Sequence, residues 1–279
     1  MPELPEVETI KNALVKAIKG AKILNTEVFC RKFRVQIPDG FEQQTKNCTI
    51  NDIKRIAKYI VVDLDNGRSL IWHLGMSGKI KICESIPDNL QKHDHVVFHT
   101  DKGIIIFNDA RRFGMLDITE SAKLNAYPAF RKIGIDPFDK NLTSAFLISE
   151  LKNKKVPIKI ALLDQSIING IGNIYASEAL YLSGISPLRE SCNLSPSDCE
   201  SLIKAIREVL DKAIKAGGST LKDYAKPDGS TGYFQHQHCV YDKTGHPCPN
   251  CICNINKTKG IKKIVQAGRS TFYCQTLQK

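Results

Sequence analysis

The stretch Leu162–Leu180, LLDQSIINGIGNIYASEAL, decides how the second half of the chain is read. A helical pattern runs to Gln165, a tight turn spends Gly170 and Gly172, and helical spacing resumes at or near Asn173. Two helices joined in this way leave N–H groups unpaired at the start of the second, where glycines permit close approach. Such an end binds an anion, and a DNA phosphate is one. A Gly-x-Gly turn is common, however, and taken alone it is as readily a packing joint.

Working outward, helical patterns surround this joint: TSAFLISELKNKK (143–155), VPIKIALLDQ (156–165), NIYASEALYLSGI (173–185) and SPSDCESLIKAIREVLDKAIKAGG (195–218). Ser195 opens the last as an N-cap and Gly217-Gly218 close it. A Gly-, Ser- and Thr-bearing loop follows from 217 to 232. Before residue 135 the texture is different. Short β-rich runs dominate there: AKILNTEVF (21–29), YIVVDLD (59–65), SLIWHL (69–74), KIKIC (79–83), HVVFHT (95–100) and GIIIFND (103–109). Turn-forming Asp65-Asn66-Gly67 and Asp101-Lys102-Gly103 separate several of them, which predicts an antiparallel sandwich or barrel. GIDPFDKN (134–141) reads as a linker.

The N-terminus is MPELPEVET. Pro5 suits the first turn of a helix, and Glu6 and Glu8 complement its dipole. Val7, Ile10, Leu14 and Ile18 form one apolar face that Gly20 ends. Pro2 and Glu3 lie upstream, and capping does not explain them. The 279 residues suit one large domain or two modest ones, and 42% hydrophobic content excludes wholesale disorder. A formal charge of +11 favours a polyanionic partner, nucleic acid or an anionic membrane. No apolar run is long enough to span a membrane and no signal-peptide layout opens the chain, so the expectation is an intracellular protein with reduced or metal-bound cysteines.

The tail from Gly232 to Lys279 carries seven basic residues against Asp242 alone. It also holds Cys248-x-x-Cys251 and Cys274. A CxxC pair at a turn such as HPCPNC is half of a zinc ribbon. A basic stretch with Phe272 and Tyr273 beside it suits a phosphate backbone, or is a solvated charged face.

Together, MPELPEVET, RIAKYIVVDL (55–64), WHLGMSGKIKI (72–82), KHDHVVFHT (92–100), NDARRFGML (108–116), LLDQSIINGIGNIYASEAL and GRSTFYCQ (268–275) resemble the formamidopyrimidine-DNA glycosylases, in that family's order over nearly the whole chain. The resemblance implies an α+β fold of two domains. A catalytic β-sandwich flanked by helices takes 1–135, with a linker at 136–150. A helical domain with a helix–two-turns–helix element takes 151–232, and a zinc-finger-like hairpin takes 233–279. It also implies base excision of 8-oxoguanine and formamidopyrimidines from duplex DNA, followed by lyase cutting of the abasic strand. The partner is then double-stranded DNA with oxidised bases or abasic sites, and the protein a bacterial, cytoplasmic, nucleoid-associated monomer.

On this resemblance Pro2, freed by loss of Met1, is the nucleophile; its α-amino group, with a pKa of roughly 8, needs little activation. Glu3 is the proton donor to the sugar ring oxygen or the leaving base, and Glu6 a secondary candidate for ordering water. Lys58, edging an apolar strand, is the proton donor of β-elimination. Arg269 grips a phosphate and serves δ-elimination. His73, His93, Lys154 and Asn173 match DNA contacts, although His93 with His95 two residues on is equally a pair of alternating strand side chains decorating the surface. Met76, Arg111 and Phe113 fill the void behind the extruded base, and the loop 217–233 closes over that base.

Cys248, Cys251 and Cys274 match zinc ligands, but Leu277 stands where the fourth cysteine belongs. Cys253, His246 or Cys239 are the candidate substitutes, and the 22 residues between Cys251 and Cys274 exceed the family's spacing. The rival readings are an endonuclease VIII-type glycosylase for oxidised pyrimidines and a non-catalytic damaged-DNA-binding protein on the same scaffold.

Overall fold

The computed structural model describes residues 1–219, 227, 229–251 and 254–279. Two compact units emerge. One comprises Met1–Arg131 with Ile214–Gln235, and the other Lys132–Ala213 with His236–Lys279.

The first unit begins with helix α1, Leu4–Ile18. Its Val7, Ile10, Leu14 and Ile18 are all buried, as their spacing predicts, and Gly20 at φ +73° turns the chain out of the helix. Then come β1 (Ile23–Val28), the short α2 (Phe41–Thr45), β2 (Ile50–Ile56), β3 (Tyr59–Leu64), β4 (Arg68–His73), β5 (Lys79–Cys83), β6 (Asp94–Thr100), β7 (Gly103–Asn108) and β8 (Met115–Glu120). They form two antiparallel four-stranded sheets, ordered β1-β6-β7-β5 and β2-β3-β4-β8. One apolar cluster joins α1 to both, including Leu14, Ile60, Trp72, Val96, Phe98 and Phe107. This is a sandwich.

Two strands go beyond those marked by sequence patterning. β2 and β8 are the outer strands of their sheet, and only Ile50 and Ile53 of β2 and Met115 and Leu116 of β8 are buried, so neither carries the continuous apolar run that marks β3 or β7. The position of Lys58 also differs from the expectation. It lies in the two-residue turn between β2 and β3 rather than in a strand. Ala57 takes φ +53° to make that turn, a conformation costly for a residue with a Cβ.

The second unit holds α3 (Ser144–Leu151), α4 (Ile158–Leu163), α5 (Asn173–Leu182) and most of α6 (Pro196–Lys215), then α7 (Ile255–Thr258) and the hairpin β9 (Lys262–Gln266) and β10 (Arg269–Tyr273). α4 ends at Leu163, two residues before the predicted Gln165. Gly170 at φ +79° shapes the joint, and α5 starts at Asn173. Ser195 does cap α6: its hydroxyl accepts the Asp198 N–H at 3.2 Å. In the hairpin turn Ala267 and Gly268 take φ +46° and +72°, the paired left-handed conformations that match strand twist. The linker segment is packed rather than loose, because Arg207 on α6 donates to the carbonyls of Pro137, Asp139 and Leu142.

Candidate active site

In the first unit, chemistry gathers at the head of α1. Pro2 is buried, and Glu3 and Glu6 are 3% and 2% exposed. Glu3 is the N-cap residue, and its N–H donates to Glu6 Oε2 at 2.8 Å. Glu6 Oε1 accepts the Ser219 N–H at 2.8 Å. Glu6 thus does more than complement a dipole: one carboxylate ties the first turn of α1 to the segment leaving α6. Gly218 is required beside it, since φ is +79° and a Cβ there would stand 2.9 Å from Glu6 Oε1. The neck of the following loop is closed by the Tyr233 and Phe234 N–H groups on the Ala216 and Gly218 carbonyls. Of the loop expected to cover the base, residues 220–226 and 228 lie outside the described residues.

Lys58 is 8% exposed. Its turn is braced by Arg55, which donates to the Ala57 carbonyl at 3.0 Å and pairs with Glu8 of α1 at 2.7 Å. Tyr59, next to it, faces His73 across the sheet with ring centroids 4.6 Å apart. Burial pushes the His73 imidazole down to about 4, and the charges of Lys58 and Arg34 act in the same direction. His73 is therefore neutral near pH 7. Its Nδ1 accepts the Gly75 N–H at 3.1 Å, so the ring proton sits on Nε2.

A cavity of about 630 Å³ opens beside these groups, lined by Met1, Phe33, Arg34, His73, Met76, Arg111 and Phe113. Met76 and Phe113 are 37% and 46% exposed and line the same cavity, so two large apolar side chains stand open to solvent side by side. The Arg111 guanidinium stands 4.8 Å from the Phe113 ring centroid. The two loops carrying them touch backbone to backbone: a Cβ on Gly75 would lie 2.3 Å from the Phe113 carbonyl carbon. His93 precedes β6 with its ring 6.1 Å from that of His95. His95 itself is not surface decoration. It is 8% exposed, packs edge-on to Phe33 and donates from Nε2 to the Asp109 carbonyl at 2.9 Å.

The second unit holds Lys154, Asn173, Arg269 and the cysteines. Lys154 lies 4.0 Å from Asp164. Arg269 opens β10 and is exposed. The Asn173 side chain is not simply presented to a partner. Its Oδ1 accepts from Lys159 Nζ at 2.7 Å and its Nδ2 donates to the Ser270 carbonyl at 2.9 Å. Lys159, fully buried, also donates to that carbonyl and to Thr271 Oγ1. Further along α5, Glu178 accepts the N–H groups of Cys239, Val240 and Tyr241 at 2.8, 3.0 and 2.7 Å. Neither Lys159 nor Glu178 was among the residues singled out in the sequence. The signal was there, a lone charge inside an otherwise apolar helical run, which is buried only when satisfied.

The Cys248, Cys251 and Cys274 sulfurs lie within 4.8 Å of one another, a group able to hold a metal. Those of Cys251 and Cys274 are 3.7 Å apart, against about 3.8 Å for tetrahedral thiolates at a Zn–S length of about 2.3 Å. Three corners of a zinc site therefore fit. Among the described residues, His246 and Cys239 do not join the group, and Cys253 lies outside them. Leu277 packs against the apolar cluster that contains Cys248 and Cys274. Tyr181 at the end of α5 reaches the sulfurs instead, its hydroxyl 3.2 Å from Cys248 Sγ while accepting the Asn250 N–H at 3.1 Å.

A β-sandwich with buried acids at its N-terminus, exposed Met76 and Phe113 beside Arg111, and a helical unit with a basic hairpin make up a DNA glycosylase scaffold. The sequence matches the formamidopyrimidine-DNA glycosylase N-terminal domain over residues 1–116 and the H2TH domain of the same enzymes over 133–225. Formamidopyrimidine-DNA glycosylases of Chelativorans sp. (strain BNC1) and Rhodospirillum rubrum are 43% and 40% identical to it, each alignment covering 100% of both chains. Among solved structures, the Lactococcus lactis Fpg complex with abasic-site DNA matches with a TM-score of 0.89 at 34% identity over 99% of both chains. The wild-type enzyme of the same organism, bound to DNA containing N7-benzyl-Fapy-dG, matches at 0.89 and 34% over 100% of both. The chain belongs to the formamidopyrimidine-DNA glycosylase family. No described helix is long and apolar enough to cross a membrane.

Proposed function

We propose that this chain excises oxidised purines, 8-oxoguanine and ring-opened formamidopyrimidines, from duplex DNA and then cuts the abasic strand through an iminium on Pro2. The observation that carries this reading is the head of α1: Pro2 buried beside Glu3, with Glu6 fixing both the helix start and Ser219. Once Met1 is removed, the Pro2 secondary amine attacks the anomeric carbon of the damaged nucleotide. The C–N bond to the base breaks, and Glu3 delivers a proton to the sugar oxygen or the departing base. The sugar ring then opens, the bond from the anomeric carbon to the protonated ring oxygen breaking as the Pro2 nitrogen lone pair forms the iminium. The iminium withdraws electrons, so a proton leaves the adjacent sugar carbon and the 3′ phosphate departs. Lys58, held on a braced turn, manages the protons of this elimination.

The damaged nucleotide must leave the stack first. Met76, Arg111 and Phe113 fill the space it vacates. His73 donates from Nε2–H to the DNA backbone, while His93, Lys154, Asn173 and Arg269 hold phosphates. Arg269, a permanent cation with a planar fork, is suited to that grip and to assisting the second elimination. Cys248, Cys251 and Cys274 are the residues that would hold zinc, which when bound crosslinks the hairpin behind Arg269.

Borohydride trapping on an 8-oxoguanine duplex tests the assignment. A covalent adduct forms with the mature N-terminus and is lost when Met1 is retained or the terminus acylated. An adduct that survives blocking removes Pro2 from the mechanism.

A further inference from the structure

Asp109 is completely buried just after β7, between the two loops of the wedge. Its Oδ1 accepts the Ser77 hydroxyl at 2.6 Å and the Arg111 N–H at 3.2 Å. Its Oδ2 accepts the Gly114 N–H at 2.7 Å. The Arg111 N–H also reaches Ser77 Oγ at 3.2 Å. The backbone of Asp109 is pinned as well: its N–H donates to the His93 carbonyl, and its own carbonyl accepts from the Arg112 N–H and the His95 ring. Each donor on the carboxylate neighbours a wedge residue. Ser77 follows Met76, Gly114 follows Phe113, and the third donor is Arg111 itself.

We propose that Asp109 is the positioning residue of the wedge, its one carboxylate locking Met76, Arg111 and Phe113 into a single preformed body. The inference rests on the void-filling reading of those three side chains. Three donors converge on a group that only accepts, an arrangement that suits a carboxylate and no neutral isostere. The locked geometry is otherwise unfavourable. Arg112 sits at φ +54°, a conformation costly for a residue with a Cβ, and only glycine fits at 114, where a Cβ would lie 2.9 Å from Asp109 Oδ2. Loops so placed are ordered before DNA arrives, so inserting the wedge costs little further conformational entropy. Asp109 does this without touching DNA.

The test compares excision from an 8-oxoguanine duplex with borohydride trapping on a single-stranded abasic oligonucleotide, which has no void to fill. Asp109→Asn places an NH₂ against one of the donors, and the duplex-to-single-strand ratio should fall about 10- to 100-fold, the scale of losing hydrogen bonds to a charged group. Ser77→Ala, which removes one donor and disturbs folding least, should lower the ratio in the same direction by less. In a Phe113→Ala background Asp109→Asn should add little. Equal losses on both substrates, or full multiplication with Phe113→Ala, would show Asp109 to be only structural. If Phe113→Ala alone leaves the ratio at its wild-type value, the void-filling reading fails and the inference with it. If Phe113→Ala lowers the ratio and Asp109→Asn does not, only the inference fails.

Discussion

The wedge in the first unit and the cysteine hairpin in the second solve the same problem with opposite materials. Each must hold short, irregular backbone rigid at a surface. The wedge is fixed by one buried anion that collects donors from two loops. The hairpin and the chain leading to it are fixed at three levels of one helix. Asn173 with Lys159 holds Ser270 at the start of α5, Glu178 holds residues 239–241 in its middle, and Tyr181 reaches Cys248 and Asn250 at its end. The sulfurs are thus one anchor among several. A hairpin supported in this way tolerates a leucine at 277 better than a free-standing finger, for which metal binding is folding.

The sharpest way to break that comparison is to remove the middle anchor. Glu178 is 3% exposed, and burial pushes its carboxyl up even though three N–H donors favour the anion. Glu178→Ala strands those donors and should cost about 3–5 kcal/mol in urea unfolding, the range for removing one side of a buried charged network. A loss below about 1 kcal/mol would mean that the sulfurs, not α5, secure this segment.

Acid should act on both units. Burial lowers the imidazoles of His73 and His238 to about 4, aided by Lys58 and Arg34 in the first and by Lys243 in the second. Between about 4 and the unfolded value near 6.5, the unfolded chain binds more protons than the native one. Stability therefore rises with pH across that window and is lost on acidification. Each histidine contributes roughly 3 kcal/mol at most, the free energy of holding an imidazole neutral from about 6.5 down to about 4. His73→Asn should remove its share of the decline when unfolding is followed from pH 7 to 4.5, and an unchanged slope would place the His73 ring in contact with water.

Legibility followed chemistry more closely than secondary structure. The apolar face of α1, the β3 and β7 cores and the Asn173 helix start were readable because each is a periodic or glycine-marked pattern. β2 and β8 were not, since outer strands with a wet face carry mixed sequences. Motif matching located Lys58 but not its turn, because a left-handed alanine leaves no mark in sequence. Tyr181 escaped because its partners lie far along the chain, Asp109 because only the fold brings Ser77 beside it, and Lys159 and Glu178 because a lone charge in an apolar run does not name its partners.

A smaller effect tests the wedge itself. Phe113→Ala removes a half-exposed ring that has no core to support, so unfolding should change by less than about 1 kcal/mol. Affinity for abasic-site duplex should nevertheless fall about 30-fold, the worth of one base-stacking aromatic, while undamaged duplex changes little. A shared loss on both DNAs would make Phe113 a general contact rather than a wedge.

The finest discrimination concerns position 277. Three thiolates leave a tetrahedral zinc one donor short, and leucine has no lone pair to give. Leu277 already packs against the cluster that includes Cys248 and Cys274, so a cysteine there starts close to the sulfurs. Leu277→Cys should slow zinc release to a chromophoric chelator about tenfold, and Tyr181→Phe should speed it by a similar factor, since outer hydrogen bonds tune metal sites on that scale. Because α5 holds the hairpin independently, DNA affinity should move less than about twofold in either variant. If Leu277→Cys tightens metal and DNA binding together, zinc rather than α5 organises the basic tail. If freshly purified protein carries no zinc and Leu277→Cys adds none, the three sulfurs pack as ordinary thiols, and the anchors along α5 alone hold the hairpin.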